Sequence, residues 1–206
     1  MGSIPEFKVI TKMKISLIHR KNQDAQVEVE DLENWEKAHG FIPEGAILIM
    51  YSGRGKFYGN KTAYFGWPAG TEKNNPSDTD NLHFPGISPK AADWIVSNRN
   101  IYGTGVDTAS VDFGQSKDFK THQIFSANNI WGLENLNNVD KLPSHGFTLY
   151  NMVYKGQDGS GGPSRVIAVL NSDSNNSSSL DTNYCTKSFL TMITILIQFW
   201  AGNQFM

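Results

Sequence analysis

An unbroken apolar run, Ala46-Ile-Leu-Ile-Met-Tyr51, stands between Gly45 and Ser52-Gly53. Apolar side chains at every position, with no polar alternation, read as a strand buried on both faces. Helical patterns flank it. Residues 27–38 place Val29, Leu32, Trp35 and Glu36 at three-to-four spacing, with acids early and Lys37 and His39 late, matching the helix dipole. Gly40 and Pro43 then stop that helix. Residues 89–98 form a second helix, with Ser88 as N-cap, Pro89 in the first turn and Ala92, Ile95 and Val96 facing inward. Ser116 is the expected cap of a third, reaching about Ala127.

Further strands are expected over residues 100–106, 130–136, 147–154 and 165–170, with a glycine-rich turn over 156–162. Strands alternate with helices, so the class is α/β. Residues 53–85 read as a long loop carrying Phe57, Tyr58, Tyr64, Phe65 and Trp67. Such a loop either presents a binding surface or pins itself down with satellite hydrophobic clusters.

At 206 residues and a net charge of −2, the chain fits one compact domain. Near-neutral charge without a Lys/Arg stripe excludes a nucleic-acid partner. The single cysteine, Cys185, excludes an internal disulfide and a thiolate zinc site. Residues 1–14 form a separate segment without the apolar core of a signal peptide, so the expectation for the chain as given is cytoplasmic. Residues 15–171 are the expected folded unit. Residues 172–206 combine a polar linker with a short apolar tail, the pattern of a GPI-attachment signal and hence of a secreted or membrane-anchored parent. A terminal amphipathic helix or a translated non-coding end are the alternatives. Sequons at Asn60, Asn175 and Asn176 add weak support for secretion.

Two polar residues stand out. His122 falls in the third helix, on the stripe of Phe119 and Ser126, and Glu134 falls in an otherwise apolar strand. A helix-turn-strand unit could bring them to one end of the sheet. Together they could bind a metal, move protons, or form a buried hydrogen-bonded pair of no catalytic use. The glycine-rich turn lacks a Gly-Lys-Ser/Thr ending and leads into a strand, so it is not a phosphate loop. Ser160 and Ser164 lack the Gly-x-Ser-x-Gly elbow of a common serine hydrolase.

Gly105-Val-Asp-Thr-Ala-Ser-Val-Asp112, His122 and Leu133-Glu-Asn-Leu136 together resemble the cyclase family of metal-dependent hydrolases, of the kynurenine formamidase and isatin hydrolase type. Leu142-Pro143 with Gly146-Phe147, and the hairpin Gly159-Ser-Gly-Gly-Pro-Ser-Arg165, are similar to later family motifs. Upstream, Val29-Glu-Asp-Leu32, Trp35-Glu36, His39-Gly40 and Ile42-Pro-Glu-Gly45 resemble the isatin hydrolase branch. The resemblance covers roughly residues 23–171. It implies a swivelling β/β/α fold with a barrel-like mixed sheet, a homodimer, and hydrolysis of an amide in a small aromatic substrate with manganese or zinc. His122 and Glu134 would be catalytic residues and half of the metal site, and no substrate-binding residue is assigned. The family's His-x-Gly-Thr-His-x-Asp segment has no counterpart in this sequence, which leads to the expectation of an N-terminally incomplete domain with impaired activity. The competing expectation is a non-catalytic isoform acting as a binding or regulatory subunit. A secreted carbohydrate-binding module is a third, resting on the aromatic loop alone.

Overall fold

The computed structural model describes residues 15–16, 22–68, 70, 79–144, 147–154, 157, 159–170 and 192–196. The N-terminal segment before residue 15, part of the glycine-rich turn and most of the apolar tail lie outside the described residues. In chain order the elements are β1 (Ile15–Ser16), β2 (Gln26–Val27), α1 (Val29–His39), β3 (Ile47–Tyr51), α2 (Lys61–Phe65), β4 (Gly86–Ile87) and α3 (Pro89–Asn98). There follow β5 (Gly103–Val106), α4 (Lys120–Ala127), β6 (Trp131–Leu133), β7 (Phe147–Val153), β8 (Ser164–Leu170) and β9 (Met192–Leu196). Strands β1-β3-β5-β6 make a parallel sheet, β2 and β4 a short parallel pair, and β7-β8-β9 an antiparallel sheet. The architecture is mixed α/β, with parallel sheets and flanking helices.

The apolar run is β3, and alternation along it sends its side chains to two separate cores. Leu48 and Met50 pack with Leu32 and Trp35 of α1 and with Ala91, Ala92 and Ile95 of α3. Ile47 and Ile49 pack with Leu133, Leu136, Phe147, Leu149, Val166 and Ala168. Helices therefore cover one face of the parallel sheet, and the antiparallel sheet covers the other. Each of these fully buried aliphatic side chains contributes about 1.5–3 kcal/mol through removal from water.

Sheet closeness explains two glycines. A Cβ on Gly103 would meet the Trp131 ring at 2.7 Å, and one on Gly105 would meet Leu136 Cδ1 at 2.7 Å. Both residues sit in β5, where neighbouring side chains lie flat across the strand.

Several boundaries differ from expectation for local reasons. Val27 pairs with Ile87 in β2–β4, so α1 starts at Val29, behind a capping box between Glu28 and Asp31. Ser88 caps α3 as expected, its side chain accepting from the Ala91 N–H. Ser116 does not cap the third helix. Its hydroxyl accepts from the Phe119 N–H in a preceding turn, Phe119 takes a left-handed φ of 49°, and α4 begins at Lys120. Strand β6 ends at Leu133, because Asn135 is left-handed (φ 57°) and turns the chain. Glu134 thus stands just beyond the strand instead of inside it.

The long loop holds more structure than its composition suggested. It contains a 3-10 turn at Arg54–Phe57, helix α2, and a second 3-10 turn at Thr79–Asn81. Trp67, Leu82 and Phe84 form a small satellite core with Phe65, whose ring stacks on Trp67 at 5.1 Å. Gly66 ends α2 with φ 69°, and a Cβ there would lie 2.0 Å from the His83 carbonyl oxygen, so only glycine fits. Within the apolar tail, Met192–Leu196 runs antiparallel to Arg165–Val169 as β9. Among the described residues no helix is long and apolar enough to cross a membrane.

Candidate active site

In a parallel sheet the carboxyl ends of the strands and the loops after them form the natural crevice for a ligand. Here those positions carry Ser52 after β3, Asp107 after β5 and Glu134 after β6. Asp107 is 1% exposed. Its Oδ1 accepts from the N–H and hydroxyl of Ser52, both at 2.7 Å, and its Oδ2 accepts from the N–H of Gly53 at 2.7 Å and of Gly55 at 3.4 Å. Burial pushes this carboxyl above the ordinary Asp value, against the four hydrogen bonds that pull it down. Asp107 thereby ties the loop after β3 to the end of β5.

His122 and Glu134 do come together. Helix α4 and the turn after β6 place His122 Nε2 at 3.2 Å from Glu134 Oε1. The other ring nitrogen, Nδ1, is 2.5 Å from Asp112 Oδ2. Asp112 is 2% exposed, and also accepts from the backbone N–H groups of Thr121 (2.8 Å) and His122 (3.2 Å). It therefore caps the first turn of α4, where a carboxylate is stabilised by free N–H groups and by the dipole. Glu134 Oε1 also accepts from the Val111 N–H at 3.3 Å.

The imidazole lies between two carboxylates with 43% of its side chain still accessible. Burial opposes its charge, but hydrogen bonds to Asp112 and Glu134 outweigh that and push its pKa up to about 10. The two carboxylates thus favour its protonated form and fix its orientation, the arrangement of a group that can hand over a proton.

A second contact fixes the Glu134 turn. The Tyr64 hydroxyl, on α2, donates to Asn135 Oδ1 at 2.7 Å. Tyr64 is 3% exposed, and burial raises its phenol well above the ordinary value, with the charges of Asp107, Tyr58 and Glu134 adding to the shift. The aromatic loop is thus tied to the turn that carries Glu134.

Asp112 and Tyr64 were not singled out as site residues by sequence. For Asp112 a signal existed, since it closes the motif that begins at Gly105 and stands shortly before His122. For Tyr64 there was none, because its partner is 71 positions away.

The metal that the family resemblance implies needs a donor set. A catalytic zinc takes three protein ligands. Among the described residues no three His, Cys, Asp or Glu side chains are grouped to hold a metal ion. Both nitrogens of His122 already face carboxylates. The described residues alone do not fit such a centre.

Solved structures of known proteins share this fold. The Cyclase family model matches residues 5–113. Isatin hydrolase of Roseibium aggregatum is 29% identical over 143 residues, which is 68% of this chain and 50% of that protein. The structure of isatin hydrolase A from Ralstonia solanacearum superposes with a TM-score of 0.71 at 29% identity, covering 82% of this chain and 62% of that one. Isatin hydrolase A from Labrenzia aggregata, bound to benzyl benzoate, gives 0.70 at 29% identity, covering 81% and 63%. The chain spans between half and under two thirds of the length of these relatives. With the family match extending over more than half of its residues, and the parallel sheet and helices shared with the isatin hydrolase structures, the chain belongs to the cyclase family.

Proposed function

We propose that this chain serves hydrolysis of the C–N amide bond in a small aromatic substrate, of the kind found in isatin or N-formylkynurenine. The observation that supports this most is His122, held between Asp112 and Glu134 beside the carboxyl ends of the parallel strands. Amide hydrolysis adds the oxygen of water to the carbonyl carbon, breaks the C–N bond, and needs a proton on the departing nitrogen. His122 is placed to donate that proton and to recover one from the attacking water. Asp112 orients the ring through Nδ1, and Glu134 holds the Nε2 proton until the nitrogen takes it. The family's manganese or zinc would need donors beyond these described residues, and no step of this reading runs through it. The same reading includes the family's swivelling β/β/α arrangement and a homodimer.

Formanilide hydrolysis, followed as aniline release with manganese or zinc supplied, tests the proposal. His122→Ala should lower turnover about 100-fold or more, the scale of losing a positioned proton donor. Equal turnover in the variant would remove His122 from the reaction. A second reading, a non-catalytic binding or regulatory subunit, is favoured by the engagement of both His122 nitrogens with carboxylates. It predicts saturable binding of the anilide without aniline release.

A further inference from the structure

Glu134 is the least firmly held member of the His122 cluster. Its Oε1 meets His122 Nε2 at 3.2 Å and the Val111 N–H at 3.3 Å, and 30% of its side chain is accessible. Charge-assisted hydrogen bonds usually close to about 2.7–2.9 Å, so these two contacts hold the carboxylate weakly. Asp112, across the ring, is 2% exposed and takes two backbone N–H groups besides Nδ1. What places Glu134 is therefore the turn in which it stands. We propose that the loop after β3 positions Glu134 against His122, by holding that turn through Tyr64 and Gly55. The inference rests on the roles proposed above for His122 and Glu134, and it makes Tyr64 a positioning residue for that reaction.

Two contacts converge on the residues that follow Glu134. The Tyr64 hydroxyl donates to Asn135 Oδ1 at 2.7 Å, from a ring that is 3% exposed and braced edge-on by Tyr58 and Phe65 at 5.3 and 5.4 Å. Gly55, in the first 3-10 turn, lies against the next residue: a Cβ there would stand 3.1 Å from the Leu136 carbonyl oxygen. The loop is itself anchored. Arg54 donates to the carbonyls of Ala63 and His83 at 2.6 and 2.7 Å, and Asp107 takes the N–H groups of Gly53 and Gly55.

A buried phenol needs some acceptor, and that alone assigns no role. The backbone of Asn135 supplies a separate observation. Its φ of 57° is one that glycine adopts with the least strain, yet the residue there is one whose side chain reaches Tyr64. On the sheet side, the N–H groups of Asn135 and Leu136 donate to the carbonyls of Thr108 and Val106. The turn is thus clamped between the end of β5 and the loop. A shift of the loop moves Glu134, while Asp112, which caps α4, stays in place.

Solvent exchange of the two His122 ring N–H protons, read by NMR on the ¹⁵N-labelled full chain at mildly acidic pH, tests the clamp. Tyr64→Phe keeps the ring and removes only the hydroxyl. It should speed Nε2–H exchange about two- to tenfold, the scale of losing one hydrogen bond, and leave Nδ1–H unchanged. Asn135→Gly keeps the left-handed turn and removes the acceptor, so it should act alike, and the double variant should match either single one. Gly55→Ala, which presses on Leu136 with the Tyr64 contact intact, should speed Nε2–H as well. An unchanged Nε2–H in any of the three, additive effects in the double variant, or equal acceleration of both ring protons would overturn the inference. Should Tyr64→Phe fail to fold, Asn135→Gly tests the same bond from its other end. A wild-type chain that releases no aniline from formanilide would sink the reaction proposed above, and the ring N–H comparison would still decide the positioning.

Discussion

Asp107→Asn keeps the shape of a fully buried side chain and removes only its charge and one acceptor. In the native site Oδ1 takes the N–H and hydroxyl of Ser52, and Oδ2 takes the N–H of Gly53 and, at longer range, of Gly55. An asparagine can present one oxygen. Whichever way the amide turns, its NH₂ confronts a backbone N–H: of Gly53 in one orientation, of Ser52 in the other. A buried donor left without a partner costs about 1–3 kcal/mol, and the surviving bonds lose their charge assistance. Relief from burying a charge offsets part of this, leaving a net loss of about 2–4 kcal/mol. For a chain of this size that is a fall in melting temperature of roughly 5–12 °C. Urea denaturation followed by tryptophan fluorescence at neutral pH measures it directly.

The pH dependence carries a sign. Because burial raises the native Asp107 value above that of the unfolded chain, the native state holds its proton longer. Wild-type stability should therefore fall as pH rises from the ordinary Asp value through the raised native one, then level off, and the variant should lack this slope. A loss under about 0.5 kcal/mol at neutral pH would refute the reasoning, since it would mean that the orphaned donors find another acceptor at no cost.

Three further outcomes follow from the same structure. Gly103→Ala forces a methyl to 2.7 Å from the Trp131 ring and should cost about 1–3 kcal/mol in a thermal melt. His122 should titrate near pH 10 by NMR, with its stabilisation intact below the ordinary His value and lost as pH rises through about 10, and Glu134→Gln should move that titration downward. Arg99→Ala should cost about 2–3 kcal/mol by urea denaturation, because it strands Glu36, 8% exposed, and removes a guanidinium stacked 4.6 Å over Trp94. Hydrogen bonding to Arg99 holds the Glu36 carboxyl below its usual range against burial, so the native pair should lose this contribution as pH falls through that lowered value.

Legibility in the sequence followed the range of the interactions. Ser88-Pro89 marked the start of α3 because capping is settled within four residues. The apolar run gave β3 and its two buried faces, but not that an antiparallel sheet covers one of them. Nothing in residues 46–51 encodes what packs above them. Ser116 looked like a helix cap by residue type, yet Asp112 takes that role, reaching Thr121 and His122 across nine and ten positions. Glu134 was legible as a residue of interest and misplaced inside a strand, because the left-handed Asn135 that ends the strand is signalled only by an asparagine, a residue common in turns and elsewhere. The His83–Asp24 pair spans 59 positions and Arg54 bonds mainly to carbonyl oxygens, so neither carries any side-chain spacing to read.

The pairing of β3 with β5 bears on how the chain reaches this state. Ser52 and Asp107, which lock the two strands together, are 55 residues apart in the chain. At typical synthesis rates β3 would leave the ribosome about 3–10 s before its partner exists. For that interval Ile47, Leu48, Ile49 and Met50 have no neighbouring strand on the β5 side, and such parallel, long-range pairings also form slowly once both halves are present. Productive yield in a cell should therefore depend on chaperone capacity and growth temperature more steeply than the equilibrium stability of the finished sheet would suggest.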